Sequence, residues 1–221
     1  MIELIAFLGN HEKEYQKNRH NAGWLLWDKL HFTHLVHFQK KFKSRYANID
    51  YTGLKNLWSS TEWQRHADTV LLQTPVPLSF PETYPEKLHC LLPETFMNLS
   101  GTAVGEAAVF FKIPPERIMV VHDELELPLG TASLKFSGGL GGHNGLRSIK
   151  ASLGTPDFWR LRIGIGRPDH TDIASYVLSD FTKDEIPVLD QTLSVAALAL
   201  EYALVFGPEQ LLPGWNKRRI T

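Results

Sequence analysis

The feature that most constrains the fold is a short apolar run at the start of the chain, Ile2 to Leu8, which stops at Gly9-Asn10. A run of this length, apolar but for Glu3 and bounded by turn residues, reads as a buried strand. A polar loop follows, and helical character begins at Ala22. Strand, loop and helix in that order put loop side chains at the strand's carboxyl end, the edge where open α/β sheets hold ligands. The loop closes with Asn18-Arg19-His20-Asn21-Ala22-Gly23-Trp24. His20 therefore stands at a site mouth, with a ring that exchanges a proton near neutral pH. Taken alone, a histidine at a helix start is an ordinary surface residue. Its company along the chain changes that reading.

Helical spacing continues from Ala22 to about His34, with Trp24, Leu25, Trp27, Leu30 and Leu35 as apolar positions. Phe38 to Tyr51 is strand-like and carries a basic cluster, Lys40, Lys41, Lys43 and Arg45. Leu54 to Trp63 and Thr69 to Thr74 suit two strands of a hairpin. Pro75, Pro77, Pro81 and Pro85 then break regular structure into a long loop. Order resumes at Leu91. Asn98-Leu99-Ser100-Gly101 opens a helix to about Lys112, stopped by Pro114-Pro115. Ile118 to Val121 reads as a central strand delivering His122-Asp123-Glu124 at its end. Ala132 to Phe136 is a further strand. The glycine-rich run Gly138 to Gly145 leads into a helix, Leu146 to Leu153. Phe158 to Ile165 is the last strand, followed by helices near Asp172 to Leu178 and Lys183 to Phe206. A basic tail, Trp215 to Thr221, is expected to be loose.

Strands interleaved with helices predict an α/β class fold. We expect a single domain over residues 1–221, a twisted mixed β-sheet flanked by helices, with an elaboration at about 53–90. No apolar run is expected to cross a bilayer, and the start lacks the pattern of a signal peptide. The one cysteine, Cys90, excludes an internal disulfide framework and suits a reducing cytoplasm. It sits among Leu88, Leu91 and Leu92, as a buried structural thiol would.

The formal net charge of -1 conceals an asymmetry. Between Lys135 and Arg167 stand Lys135, Arg147, Lys150, Arg160, Arg162 and Arg167, opposed only by Asp157. A locally positive stretch in a neutral chain points to an anionic partner or to a solvated basic face.

The chemistry-bearing motifs narrow the function. The glycine-rich run resembles a phosphate cradle, but no Lys-Ser or Lys-Thr follows it, and Asn144 stands where a dinucleotide fingerprint needs glycine. It is better read as shaping a site and presenting His143 and Asn144. A serine-hydrolase elbow is absent. His11-Glu12 begins a zincin motif, but Tyr15 occupies the second histidine position. His31, His34 and His37 lack a cysteine or acid beside them, which argues against a metal set. A histidine base held by a carboxylate remains, with amides to grip a polar substrate: His20, Asp123, Asn10, Asn98 and Asn144. Each asparagine alone reads as a turn or cap residue. Their recurrence at element ends is what gives them weight.

These blocks together resemble the bacterial-type peptidyl-tRNA hydrolase family over essentially the whole chain. The residues that carry the likeness are Leu8-Gly9-Asn10, Tyr15, Asn18 to Gly23, and Thr95-Phe96-Met97-Asn98-Leu99-Ser100-Gly101. It continues through His122-Asp123-Glu124-Leu125, Gly141 to Leu146, and Arg160 to Gly166. The resemblance implies an enzyme that hydrolyses the ester between the peptide and the 3′-terminal ribose of peptidyl-tRNA, recycling tRNA from stalled translation. It implies His20 as general base, Asp123 as its partner, and Asn10, Tyr15, Phe96, Met97, Asn98, His143 and Asn144 around the substrate. Lys135 and Arg162 would grip tRNA phosphate. No cofactor or metal is implied, and the partner is peptidyl-tRNA, with a cytoplasmic monomer and no membrane. A non-catalytic RNA-binding relative of the same fold is the alternative. The chain departs from the family pattern at His11-Glu12, where Pro-Gly is usual, at Leu92, where lysine is common, and in the longer interval between His20 and Asn98. The strands ending at Asn10 and near Asp123 are expected to be neighbours, since both must serve one cleft.

Overall fold

The computed structural model describes residues 1–60, 63–65, 81–168 and 172–221. Its centre is β1 (Leu4–Phe7), buried at every position. Parallel partners flank it, β4 (Lys87–Pro93) on one side and β5 (Ile118–Glu124) on the other. β7 (Trp159–Gly164) extends the parallel core beyond β5. Antiparallel strands form the wings. β3 (Ser44–Asp50) pairs with β4 and with β2 (Gln39–Lys41). β6 (Thr131–Phe136) pairs with β7 and with β8 (Arg218–Arg219). Among the described residues this is one mixed sheet of eight strands, in the order β2-β3-β4-β1-β5-β7-β6-β8.

The alternation of side chains along a strand divides the core in two. Ile5 and Phe7 of β1 join Met119, Val121, Leu161 and Ile163 on one face. That face is covered by α1 (Ala22–Trp27) and α6 (Glu185–Phe206). Leu4, Ala6 and Leu8 join Val120, Leu91, Val104 and Ile149 on the other. There α3 (Ser100–Phe111) and α4 (Asn144–Leu153) lie against each other. Their approach depends on Gly101, where any Cβ would run into the Ser148 carbonyl. The Gly101 amide donates to Ser148 Oγ at 2.9 Å.

Several expectations are corrected. The stretch expected as a strand from Leu54 is helical: α2 (Tyr51–Trp58) buries Tyr51, Leu54 and Trp58, a spacing that puts all three on one helix face. Its hairpin partner, Thr69 to Thr74, lies outside the described residues. Order resumes at Lys87 rather than Leu91, so Cys90 is inside β4, fully buried, with its thiol pKa pushed up by burial. The helix expected from Ala22 to His34 ends at Trp27, and a separate 3₁₀ turn spans Thr33–Leu35. The tail is not loose. Trp215 ends α7 (Pro208–Trp215) fully buried, and β8 pairs with β6. One helix, α6, is long and apolar enough to cross a membrane by length and composition, contrary to the sequence expectation. Most of its apolar stretch, 72%, is instead buried in the fold as a core helix.

Candidate active site

Strands β1 and β5 are neighbours, as expected, and their carboxyl ends build the site. Phe7 pairs with Val121, and the Leu8 amide donates to the Val121 carbonyl at 2.9 Å, so Gly9-Asn10 emerges beside Asp123. The start of α1 is seated hard on these two strand ends. A Cβ on Gly23 would come within 2.5 Å of the Leu8 carbonyl oxygen and 2.6 Å of the Val121 carbonyl oxygen. This close seating brings the 3₁₀ turn Arg19–Asn21 over the end of β5. The turn is locked to β1 by a reciprocal amide pair: the Asn10 amide donates to Asn21 Oδ1 at 2.7 Å, and Asn21 Nδ2 donates to the Asn10 carbonyl at 3.0 Å.

Two imidazoles share one carboxylate oxygen. His20 Nδ1 lies 2.9 Å and His143 Nε2 3.0 Å from Asp123 Oδ1, with the two ring centroids 4.9 Å apart. The roles of the rings follow from their other nitrogens. His143 is the N-cap of α4, and its Nδ1 accepts from the Gly145 amide at 3.1 Å and the Leu146 amide at 3.4 Å. Its proton therefore sits on Nε2, pointing at Asp123, and neither nitrogen is left for chemistry. His20 gives Nδ1–H to Asp123 and keeps the Nε2 lone pair. Of the two, His20 alone is equipped to take a proton.

Electrostatics agree. Burial alone would raise the Asp123 carboxyl, but the two imidazoles facing it hold its pKa well below the usual carboxylate range. Burial alone would lower His20, but the charge and hydrogen bond of Asp123 outweigh it and leave its pKa above the ordinary histidine value. His122, on the same strand, is different: buried, close to His143, and bonded through Nδ1 to the Asp123 carbonyl, it is held far below that value.

His20, Asp123 and His143 are the described residues whose donor atoms cluster closely enough to suggest a metal. The cap excludes His143 as a ligand, because its Nε2 carries the proton. His31 faces Glu201 of α6 rather than its neighbouring histidines, with Nδ1 3.0 Å from Oε2.

A cavity of about 350 Å³ opens beside the pair. His20, Asp123, His143 and Asn144 line one side, with Glu124 and Leu125. The cavity is also lined by α5 (Ile173–Val177), with Asp172 and Arg167. Asn10, Tyr15, Phe96, Met97 and Asn98 lie outside this cavity. Asn10 and Met97 are nevertheless linked to the site: the Met97 amide donates to Asn10 Oδ1 at 3.1 Å, and Met97 Sδ packs against Gly145. With Oδ1 so used, Asn10 has its side-chain NH₂ to offer. Phe96 and Asn98 are exposed beside Met97, at the turn Met97–Leu99 that precedes α3. Tyr15 ends the 3₁₀ turn Lys13–Tyr15, where a hydrogen bond to Glu14 raises its phenol pKa. At the departure from the family pattern, His11 and Glu12 face each other at 3.6 Å.

Lys135 and Arg162 share one face of the β6–β7 pair with Ser133 and Arg160, by the register Ser133↔Arg162 and Lys135↔Arg160. Arg162 Nε is bonded to Glu124 Oε2 at 2.9 Å, so the basic face joins the cavity through Glu124. Sequence reasoning missed Glu124, and it missed buried Arg160, which donates to the carbonyls of Gly139 and Ser137 and so braces the glycine-rich loop. The alternation Arg160-Leu161-Arg162, with Leu161 in the core, was the signal that both arginines leave the sheet on one side.

A family model described as peptidyl-tRNA hydrolase matches residues 4–221. The chain is similar to the peptidyl-tRNA hydrolase of Desulfitobacterium hafniense, 39% identical over 217 residues, covering 98% of this chain and 100% of that one. It is also similar to that of Treponema pallidum, 41% identical over 225 residues, covering 99% and 96%. Among solved structures, a crystal structure of peptidyl-tRNA hydrolase from Acinetobacter baumannii matches with a TM-score of 0.72 at 30% identity, covering 97% of this chain and 96% of that one.

Proposed function

The chain belongs to the peptidyl-tRNA hydrolase family and is an enzyme of that family; on that premise we propose that it cleaves the ester between a peptide and the 3′-terminal ribose of tRNA by water activated at His20. One observation carries this reading. His20 and His143 hold the same Asp123 oxygen, yet only His20 has a ring nitrogen free to accept a proton.

Water at His20 Nε2 gives up a proton as its oxygen bonds to the ester carbonyl carbon. The imidazolium so formed is stabilised by Asp123 in front of Nδ1. The tetrahedral intermediate then expels the ribose oxygen, which takes the proton from His20, leaving tRNA and the peptide's carboxylic acid, which gives its proton to solvent. The amides of Asn10, Asn98 and Asn144 hold the substrate, with Tyr15, Phe96 and Met97 at the margin. Lys135 and Arg162 meet tRNA phosphate. An ester is a weak enough bond for a positioned base and hydrogen bonds to suffice. The same reading makes the protein a cytoplasmic monomer that recycles tRNA from stalled translation. A non-catalytic RNA-binding role would have no use for a capped His143 beside an uncapped His20.

Single-turnover cleavage of a peptidyl-tRNA, with tRNA affinity measured in parallel, tests the proposal. His20→Ala should lose about 10²–10⁴ in rate, the usual worth of general-base catalysis, while still binding tRNA. Turnover at the parental rate would remove His20 from the mechanism.

A further inference from the structure

We infer that Arg19 is a positioning residue that fastens the α5 wall of the cavity to the turn carrying His20. The inference rests on the reading of that cavity as the place where substrate reacts. Arg19 is buried, and its guanidinium reaches a single distant stretch of chain, 176–185. Nη1 donates to Ser179 Oγ at 2.8 Å, to the Ser179 carbonyl at 3.2 Å and to the Asp180 carbonyl at 2.5 Å. Nη2 donates to Glu185 Oε2 at 2.6 Å. The plane of the group lies over the Tyr176 ring at 4.4 Å and near the Phe181 ring at 5.0 Å. The backbone adds to this: the Arg19 amide donates to the Ser179 carbonyl at 3.1 Å, and Asn18 bridges to Asp180.

The fastened stretch begins within α5, whose Ile173, Ala174 and Val177 face the cavity. Tyr176 ties the same helix to the end of β7 through its hydroxyl, which donates to the Ile165 carbonyl at 2.7 Å. α5 is short, so its place depends on such anchors rather than on its own helical stability. A planar fork that bonds in several directions while stacking on rings is arginine chemistry; lysine, a point charge on a flexible stem, cannot reproduce it.

His20 does not depend on this fastening. Its ring is held by Asp123 on β5, and its turn by the Asn10–Asn21 pair and by Gly23 against the strand ends. Loss of Arg19 should therefore release the wall and spare the base. With peptidyl-tRNA as substrate, Arg19→Gln should raise KM roughly tenfold, within the ~10²-fold that a misplaced positioning element can cost. Its kcat should stay within about twofold, a pattern that marks lost binding rather than lost chemistry. The midpoint of the pH–rate profile should not move, and amide exchange should accelerate in 173–178 but not in β1 or β5. Arg19→Lys keeps the charge but loses the fork, and should resemble Arg19→Gln more than the parent. Should Arg19→Gln fail to fold, Glu185→Gln serves. It keeps the Thr182–Glu185 capping arrangement in kind while removing the charge facing Arg19, and should raise KM by a smaller factor. An unchanged KM with unchanged exchange in 173–178 would overturn the inference, as would a displaced pH midpoint, which would mean that Arg19 acts on the base. These outcomes are separate from an active His20→Ala protein, which would overturn the base assignment alone.

Discussion

A helix cap distinguishes His143 from His20. Both rings meet the same oxygen of Asp123, and neither differs from the other in intrinsic chemistry. The two backbone amides at the start of α4 claim Nδ1 of His143, and on the proposed mechanism that leaves His20 as the ring that acts. The cap can be separated from the contact. His143→Ala should lose the cap, about 1 kcal/mol of stability in urea unfolding, and also the Asp123 contact. His143→Asn should keep stability, since asparagine caps well, yet match His143→Ala in lost kcat. Loss of stability in both variants, or of activity in only one, would contradict this division. The pH profile tests Asp123. If His20 is the neutral base proposed above, kcat should rise with pH through its raised pKa, above the histidine reference of about 6.5. Asp123→Asn removes the carboxylate that raises that pKa and leaves burial, which lowers it. The acid limb of its profile should therefore move to lower pH, while the plateau falls because the imidazolium loses its counter-charge. A limb that stays in place or moves up would refute the pairing.

Glycines set how closely the elements meet. Gly23 lets α1 rest on the carbonyls of Leu8 and Val121, and the position of His20 follows from that contact. Gly23→Ala should force α1 off the strand ends, costing about 1–3 kcal/mol as overpacking does and reducing kcat with it, read by unfolding and single-turnover rates. A stable, fully active variant would show that α1 tolerates the shift. The elements legible in the sequence were those whose pattern was local. Ile118–Val121 is a continuous apolar run and Ile2–Leu8 one interrupted only by Glu3, and the α3 and α4 helices are bounded by polar or glycine signals. His20 and Asp123 were legible because each lies where a strand or loop meets the start of the next element. What escaped depended on partners far along the chain. The tail forms β8 because β6 offers it an edge, and Tyr51–Trp58 is helical because three apolar residues share a face, which a hairpin reading overlooked. The free nitrogen of His20 was not legible, because it follows from a cap on another element. Glu124 and Arg160 were hidden for a related reason: each finds its partner on a neighbouring strand or loop.

On the scale of the whole molecule, part of the basic group expected from the sequence gathers on one face of β6 and β7. Lys135, Arg160 and Arg162 share the face of β6 and β7, and burial, reinforced by repulsion from the neighbouring arginines, lowers the pKa values of Lys135 and Arg160. Affinity for tRNA should fall as salt rises, through counterion release. The sequence alone treats Lys135 and Arg162 alike, but Arg162 already pairs with Glu124. Lys135→Ala should therefore flatten the salt slope by about one unit, as loss of one phosphate contact does. Arg162→Ala should flatten it less and weaken binding at all salt concentrations, because it strands the buried Glu124 carboxylate beside the cavity. Equal slope changes in the two variants would show that Glu124 yields Arg162 entirely to phosphate.

The pairing of β1 with β5 carries a consequence for how the chain acquires its site. His20 and Asp123 are 103 residues apart in sequence, and β1 cannot gain either parallel neighbour until β4 and β5 have been made. During synthesis the first strand is thus an apolar segment awaiting its mates, the type of intermediate most exposed to aggregation and most served by chaperones. No partial product ending before β5 can hold His20 against Asp123, so esterase activity arrives late, in the same step that closes the sheet's centre.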